Sequence, residues 1–108
     1  MENWPLSREL VVRLRQLARS GTTVRALVHE IQNHPDSGGR GLLVVIRYLR
    51  RAFLIGIKDI RELEGSSYLG NGLYDDKQIE NFLLPLIAAS RQQWDSELND
   101  EGQGEIST

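Results

Sequence analysis

Hydrophobic positions recur along most of this chain at three- and four-residue intervals, a period that predicts helices rather than strands. Leu10, Leu14, Leu17 and Ala18 follow Pro5 and Ser7 at helical spacing, and Ser20-Gly21 closes that first segment. Thr22 or Thr23 supplies the cap of a second helix carrying Val24, Leu27, Val28 and Ile31 on one face. This helix stops at Asn33-His34-Pro35, because proline disfavours helical backbone in the residue before it. Leu42, Val45, Ile46, Leu49 and Phe53 mark a third helix, and Leu43, Val44 and Leu54 add a second apolar face, so it is expected at the centre with neighbours on two sides. The start of this segment, residues 42–46, is β-branched enough for a strand, but helical spacing continues to Phe53. Gly56 is the residue expected to end the helix with positive φ, and Ile57, Ile60 and Leu63 resume the helical period at once.

Residues 66–74 read as a connection containing glycine and aromatic residues. Asp75 with Gln78 three positions later forms a capping box for a last helix bearing Ile79, Phe82, Leu83, Leu86 and Ile87. Pro85 falls inside it and, lacking a backbone donor, is expected to kink or split it. From Asp95 onward there are five acidic residues, no basic ones and little to bury, which predicts a mobile tail. The expected fold is all-α: a single-domain bundle of four to five helices over residues 1–94, followed by a disordered acidic tail over 95–108.

Composition narrows the function classes. The 108 residues, 40% hydrophobic and 26% charged, suit one domain that buries its own core. Absence of cysteine removes disulfides and thiolate metal sites. No apolar run approaches the roughly 18 residues of a membrane span, and the opening MENWPLSREL lacks the order of a secretory signal. A soluble, cytoplasmic protein with no membrane partner is expected. The net charge of −2 hides an asymmetry: residues 1–58 hold ten Lys/Arg against four Asp/Glu, whereas residues 59–108 hold three against eleven. Either two solvated faces offset one another, or the molecule carries a dipolar surface that steers a charged partner.

Four local patterns bear on chemistry. His34-Pro35-Asp36, between two predicted helices, resembles the signature by which J-domain co-chaperones engage Hsp70, which implies a chaperone-linked role; Pro-Asp-Ser-Gly-Gly is also good turn chemistry by itself. Gly38 and Gly39 before a helix N-terminus, with Arg40, suit an anion, but the chain has no GxxxxGK[ST] pattern. His29 and His34 are five apart, off a common helix face, and no ligand set forms around them. No nucleophile stands with a recognisable base, so neither enzymatic activity nor a cofactor is expected. Eleven of the thirteen basic residues are arginine, with Arg8, Arg15 and Arg19 on one helix and Arg47, Arg50 and Arg51 on another. Arginine suits bidentate contact with phosphate or carboxylate, which leaves a nucleic-acid surface as an alternative.

Val45-Ile46-Arg47, Leu49-Arg50, Gly56-Ile57-Lys58-Asp59 and Arg61-Glu62-Leu63 resemble, without gaps, the helix-turn-helix in the C-terminal domain of the bacterial ribosomal stalk protein. The resemblance covers residues 45–65 and implies a face that docks translational GTPases, carried here by Val45, Ile46, Arg47, Arg50, Gly56, Lys58 and Asp59; Leu54 stands where that family prefers glycine. The whole chain also resembles short bacterial helical proteins, some of which act as immunity- or antitoxin-like inhibitors. The expectation is therefore a non-catalytic protein-protein interaction module, with an immunity- or antitoxin-like inhibitor as one form of it, and with Arg47, Arg50, Arg51, Lys58, Tyr68, Leu69 and Tyr74 as contact residues. Translation- or chaperone-linked adaptor and nucleic-acid binder are the alternatives. Tyr68, Leu69, Leu73 and Tyr74 give the 66–74 connection the composition of an interface anchor, or else it folds back over the core. Oligomeric state is left open.

Overall fold

The computed structural model describes residues 6–35 and 37–96. Five α-helices follow one another: α1 (Arg8–Arg19), α2 (Val24–Asn33), α3 (Leu42–Phe53), α4 (Ile57–Ile60) and α5 (Asp76–Ala89). A 3-10 helix, Arg61–Gly65, continues α4 directly, and a further helical turn covers residues 91–96. The fold is all-α, and no strand occurs among the described residues. The pieces outnumber the expected four to five because the short segment after α3 tightens into a 3-10 helix and the chain coils again after α5. Asp95, expected to open the tail, belongs to that last turn; residues 97–108 and Trp4 lie outside the described residues.

Local chemistry sets the helix ends. The Ser7 hydroxyl accepts from Leu10 N at 3.2 Å and the Thr23 hydroxyl from Ala26 N at 3.0 Å, each satisfying a donor that the first turn leaves open. Both halves of the Asp75/Gln78 capping box form, at 2.8 and 2.9 Å. At the end of α3 the expectation fails. Leu54, with φ 57 and ψ 34, takes the left-handed conformation, while Gly56 has φ −74 and ψ 153 and precedes α4 as its N-cap. Pro85 does not split α5, which runs unbroken through it. Pro85 and Asn81, the residue four positions earlier, are both exposed, so the carbonyl deprived of its donor faces water.

α1 and α2 pack together and against α3, and α5 closes the bundle over α2. Leu10, Val11, Leu14, Val24, Leu27, Val28 and Ile31 are buried, as are Val45, Ile46, Leu49 and Phe53 on the predicted face of α3. The second buried face of α3 is not the one expected: Tyr48 and Ala52 are covered, whereas Leu43 and Leu54 face solvent. The Tyr48 hydroxyl accepts from Ser7 N at 2.7 Å, fixing the start of α1 to the middle of α3.

Arg15, expected on a surface with Arg8 and Arg19, is fully buried. Its Nε donates to Ala52 O at 2.7 Å and its Nη2 to Arg51 O at 3.0 Å. A cation thus sits at the carbonyl-rich end of α3, where the helix dipole favours it. The same end is covered by the chain after α5. Ser90 Oγ donates to Phe53 O at 2.7 Å, and the buried Trp94 meets the Phe53 ring edge-on with centroids 5.3 Å apart. Trp94 Nε1 donates to Ile87 O at 3.0 Å, so its one polar atom is satisfied inside the core.

Candidate interaction surface

The covered residues of α3 define its opposite, solvent-facing side. Leu43, Arg47, Arg50 and Leu54 follow one another at i, i+4, i+7 and i+11, which places them in one strip along the helix. Leu43 is 71% and Leu54 37% exposed, and beyond the turn Ile57 is 42% exposed. Arg50 and Arg51 are exposed and Arg47 is half-buried; Arg51 borders a groove shared with Leu6, Arg8 and Val11. The strip therefore sets two guanidinium groups between two aliphatic ones, and Ile57 and Lys58 are exposed on α4 just beyond the turn.

That turn is shaped by Leu54. Its backbone N donates to Arg50 O at 2.9 Å in a left-handed C-cap, a conformation that a side chain bearing a Cβ disfavours by about 1–2 kcal/mol. The buried Ile55 follows, and Gly56 O accepts from Asp59 N and Ile60 N, both at 3.2 Å, to start α4. On the far side of Lys58 lies a groove of about 380 Å³ lined by Ile57, Lys58, Arg61, Glu62 and Glu64, with Arg61 Nε paired to Glu64 Oε2 at 3.1 Å. It is open, and charges of both signs line it.

The 66–74 connection is tightly built. Buried Ser66 donates through Oγ to Leu63 O at 2.7 Å and accepts from Leu69 N at 3.0 Å; Asn71 N reaches Glu64 O at 3.0 Å and Tyr74 N reaches Gly65 O at 2.7 Å. A Cβ on Gly70 would stand 1.7 Å from Glu64 O, so the two backbones approach as closely as only glycine permits. Tyr68, Leu69 and Tyr74 pack against the core, and Tyr74 meets Phe82 edge-on at 5.0 Å. Only the tip leaves the body of the protein: Leu73 is 71% exposed.

Tyr68 lies where α2 meets α5. The Arg25 guanidinium stands 5.2 Å over its ring and pairs with Asp76 at 2.5 Å, while Glu80 accepts from Val24 N at 2.7 Å and Arg25 N at 3.1 Å. Glu80 thus supplies from another helix the negative charge that the start of α2 lacks in its own first turn. The Tyr68 hydroxyl is buried and has no hydrogen-bond partner among the described residues. Burial, reinforced by Glu80 and Asp76 and opposed by Arg25, pushes its pKa well above the ordinary tyrosine value.

Of the residues singled out in the sequence, Arg47, Arg50 and Arg51 lie on α3 and Lys58 lies on α4, with Arg51 bordering a groove shared with Leu6, Arg8 and Val11 and Lys58 a separate one with Arg61 and Glu62. Tyr68 instead faces Arg25, Asp76 and Glu80, and Leu69 and Tyr74 serve the packing of the connection. Leu43, Leu54 and Ile57 complete the strip but were expected inside or in helix-restarting roles. The signal that would have exposed them is the arginine ladder itself, since Arg47 and Arg50 mark the solvent side of α3. Around His34, Ser37 N donates to His34 O at 3.2 Å and buried Ser37 exchanges hydrogen bonds with Gly39, so a turn forms; Asp36 of the His-Pro-Asp tripeptide lies outside the described residues. Among the described residues no group of three or more His, Asp or Glu could hold a metal ion, and no helix is long and apolar enough to cross a membrane. No family model, curated protein or solved structure matches the chain.

Proposed function

We propose that this protein is a non-catalytic interaction module, of the kind that blocks or recruits another protein through a rigid surface, as immunity-type inhibitors do. Its contact surface is the α3 strip with Arg47, Arg50 and Arg51, continued through Leu54 to Ile57 and Lys58; Tyr68, Leu69 and Tyr74 hold the adjoining connection in place and present Leu73. One observation carries this reading: the large aliphatic side chains Leu43 on α3, Leu54 at its end and Ile57 on α4 are exposed near Arg47 and Arg50, while the opposite side of α3 is buried. Such a surface offers apolar anchors and arginine forks to a partner that is acidic around an apolar centre. The double change Arg47→Glu with Arg50→Glu tests it. A polypeptide captured by the native chain from nuclease-treated lysate of the source cells should be lost by the variant, with the thermal midpoint of the two proteins within a few degrees. Undiminished capture would move the interface elsewhere.

A second reading, a translation-linked adaptor, is favoured by Leu54. The left-handed turn falls at the position where the stalk-protein family prefers glycine, which supports a common hairpin geometry. Binding of purified translational GTPases, weakened by Lys58→Glu, is its expected signature. The nucleic-acid alternative is weakened by the burial of Arg15, which removes one cation from the presumed basic face of α1.

A further inference from the structure

Asn71-Gly72 is the one Asn-Gly pair of the chain, and both residues are exposed in the 66–74 connection. Gly72 has φ +76 with open space where a Cβ would be, so the turn itself calls for glycine there. The same lack of a side chain leaves its backbone nitrogen unhindered for attack on the neighbouring side-chain amide. Three hydrogen bonds bear on that attack. Asn71 Oδ1 accepts from Leu73 N at 2.9 Å, which polarises Cγ and places a donor where negative charge develops as the nitrogen adds. Gly72 N donates to Ser66 O at 3.1 Å, a bond that must open first; Ser66 O also accepts from Gly70 N at 3.0 Å, so it stays satisfied when Gly72 N turns to water. The other asparagines of the described residues are differently placed: Asn33 donates through Nδ2 to His29 O at 2.8 Å, and Asn81 lies inside α5 before the bulky Phe82.

We propose that Asn71 deamidates in the folded protein and that the change resets the surface around Leu73. The Gly72 nitrogen bonds to Asn71 Cγ as the Cγ–Nδ2 bond breaks, the proton of Gly72 N leaves with the amide nitrogen as ammonia, and a cyclic imide remains. Water then opens the imide at one of its two carbonyls. Breaking the bond from Gly72 N to Cγ gives aspartate; breaking the bond from Gly72 N to the backbone carbonyl carbon gives isoaspartate, whose main chain is one atom longer. Either product puts a third carboxylate into the groove of about 210 Å³ that Asn71 and Leu73 share with Arg61, Glu62 and Glu64. The longer main chain has no slack to occupy. Asn71 N on Glu64 O at 3.0 Å and Tyr74 N on Gly65 O at 2.7 Å bracket it, and a Cβ on Gly65 would stand 2.4 Å from the Tyr74 ring. Leu73 and Tyr74 must therefore shift. The effect on binding rests on the proposed contact surface: a partner that is acidic around an apolar centre meets a new like charge and a displaced Leu73.

Full-length protein kept in mildly alkaline buffer at physiological temperature, mapped by peptide mass spectrometry and assayed with an isoaspartyl methyltransferase, tests the modification. Residue 71 should convert with release of ammonia while Asn33 and Asn81 stay intact. Asn71→Gln, whose longer side chain cannot close the five-membered ring, should remain unchanged over the same time. Conversion only after unfolding in urea, or equal conversion at Asn33 and Asn81, overturns the proposal. In the converted protein, amide signals of Leu73, Tyr74 and Phe82 should move while those of α1 hold, and binding of a synthetic glutamate–leucine copolymer should weaken several-fold. Unmoved signals or undiminished binding overturns the reset. Copolymer binding lost with Arg47→Glu and Arg50→Glu but not on conversion leaves the α3 surface standing without the connection; binding indifferent to both removes that surface as well.

Discussion

At Leu54 the chain holds a bulky side chain where sterics favour glycine, and two costs oppose each other there. Replacing Leu54 by glycine relieves about 1–2 kcal/mol of left-handed strain. It also removes a side chain that is partly covered, and it enlarges the unfolded ensemble by about 0.5–1 kcal/mol. The terms nearly cancel, so Leu54→Gly is expected to leave stability within about 1 kcal/mol, whereas Leu54→Val, β-branched and stiffer at χ1, should lose more than about 1 kcal/mol. Denaturant titration of both variants checks this, and the opposite order would mean that the turn is not left-handed at residue 54. Tyr68 presents a different imbalance. Its hydroxyl is buried without a partner among the described residues, so Tyr68→Phe should stabilise by about 1 kcal/mol. Since burial in the folded state raises the pKa of this phenol above its unfolded value, the stability associated with its protonated form is complete below about pH 10 and is lost as pH rises beyond that. Tyr68→Phe should therefore also flatten the alkaline fall in stability, measured as denaturant midpoints from pH 8 to 11. An unchanged alkaline limb would assign the fall to other groups.

Between elements, the strongest polar tie is Arg15, whose fork joins α1 to the last carbonyls of α3. Removing it leaves buried carbonyls without donors, so Arg15→Met should cost about 2–4 kcal/mol, and Arg15→Lys should recover only part because an ammonium cannot reproduce the planar fork. A stable Arg15→Met protein would mean that water replaces the guanidinium. Arg15 also shows where the sequence stops being informative. Helix faces, the Ser7 to Leu10 start and the Asp75/Gln78 box were legible because each is set within one or two turns of chain. An arginine in a helical pattern reads as solvated, and only a partner 37 residues away in sequence makes it interior. Tyr48 was hidden by its bond to Ser7 in the same way, and Tyr68 by Arg25 and Glu80. Leu54 was misplaced because glycine's backbone freedom pointed to residue 56, while packing of Ile55 and Phe53 fixed the turn two residues earlier. The shared side of Arg47 and Arg50 on α3 was legible since their spacing is local; the exposure of Leu43 and Leu54 was not, because an aliphatic residue on a helix carries no label for which side the neighbours will take.

Across the whole molecule, the opposite charges of the two halves of the sequence interlock only in part. Arg25 pairs with Asp76 and Arg19 with Asp95, while Glu80 serves the start of α2. Arg13 with Glu30, Arg61 with Glu64 and Arg91 with Asp95 join residues of the same half, at 3.5, 3.1 and 3.5 Å. All of these pairs have at least one partly exposed member, and such pairs contribute about 0–1 kcal/mol each. The core, in contrast, is apolar and continuous from α1 through Trp94. These pairs therefore add little to stability beside the apolar core. Raising salt from about 20 mM to about 0.5 M, which shortens the screening length from tens of ångströms to a few, should shift folding stability by less than about 2 kcal/mol. Capture of an acidic partner should weaken steeply over the same range, since it depends on cations of the strip acting together. A fall in stability beyond about 3 kcal/mol would assign the charge separation to holding the halves together, and the α3 strip would then lose its electrostatic claim to be a binding surface.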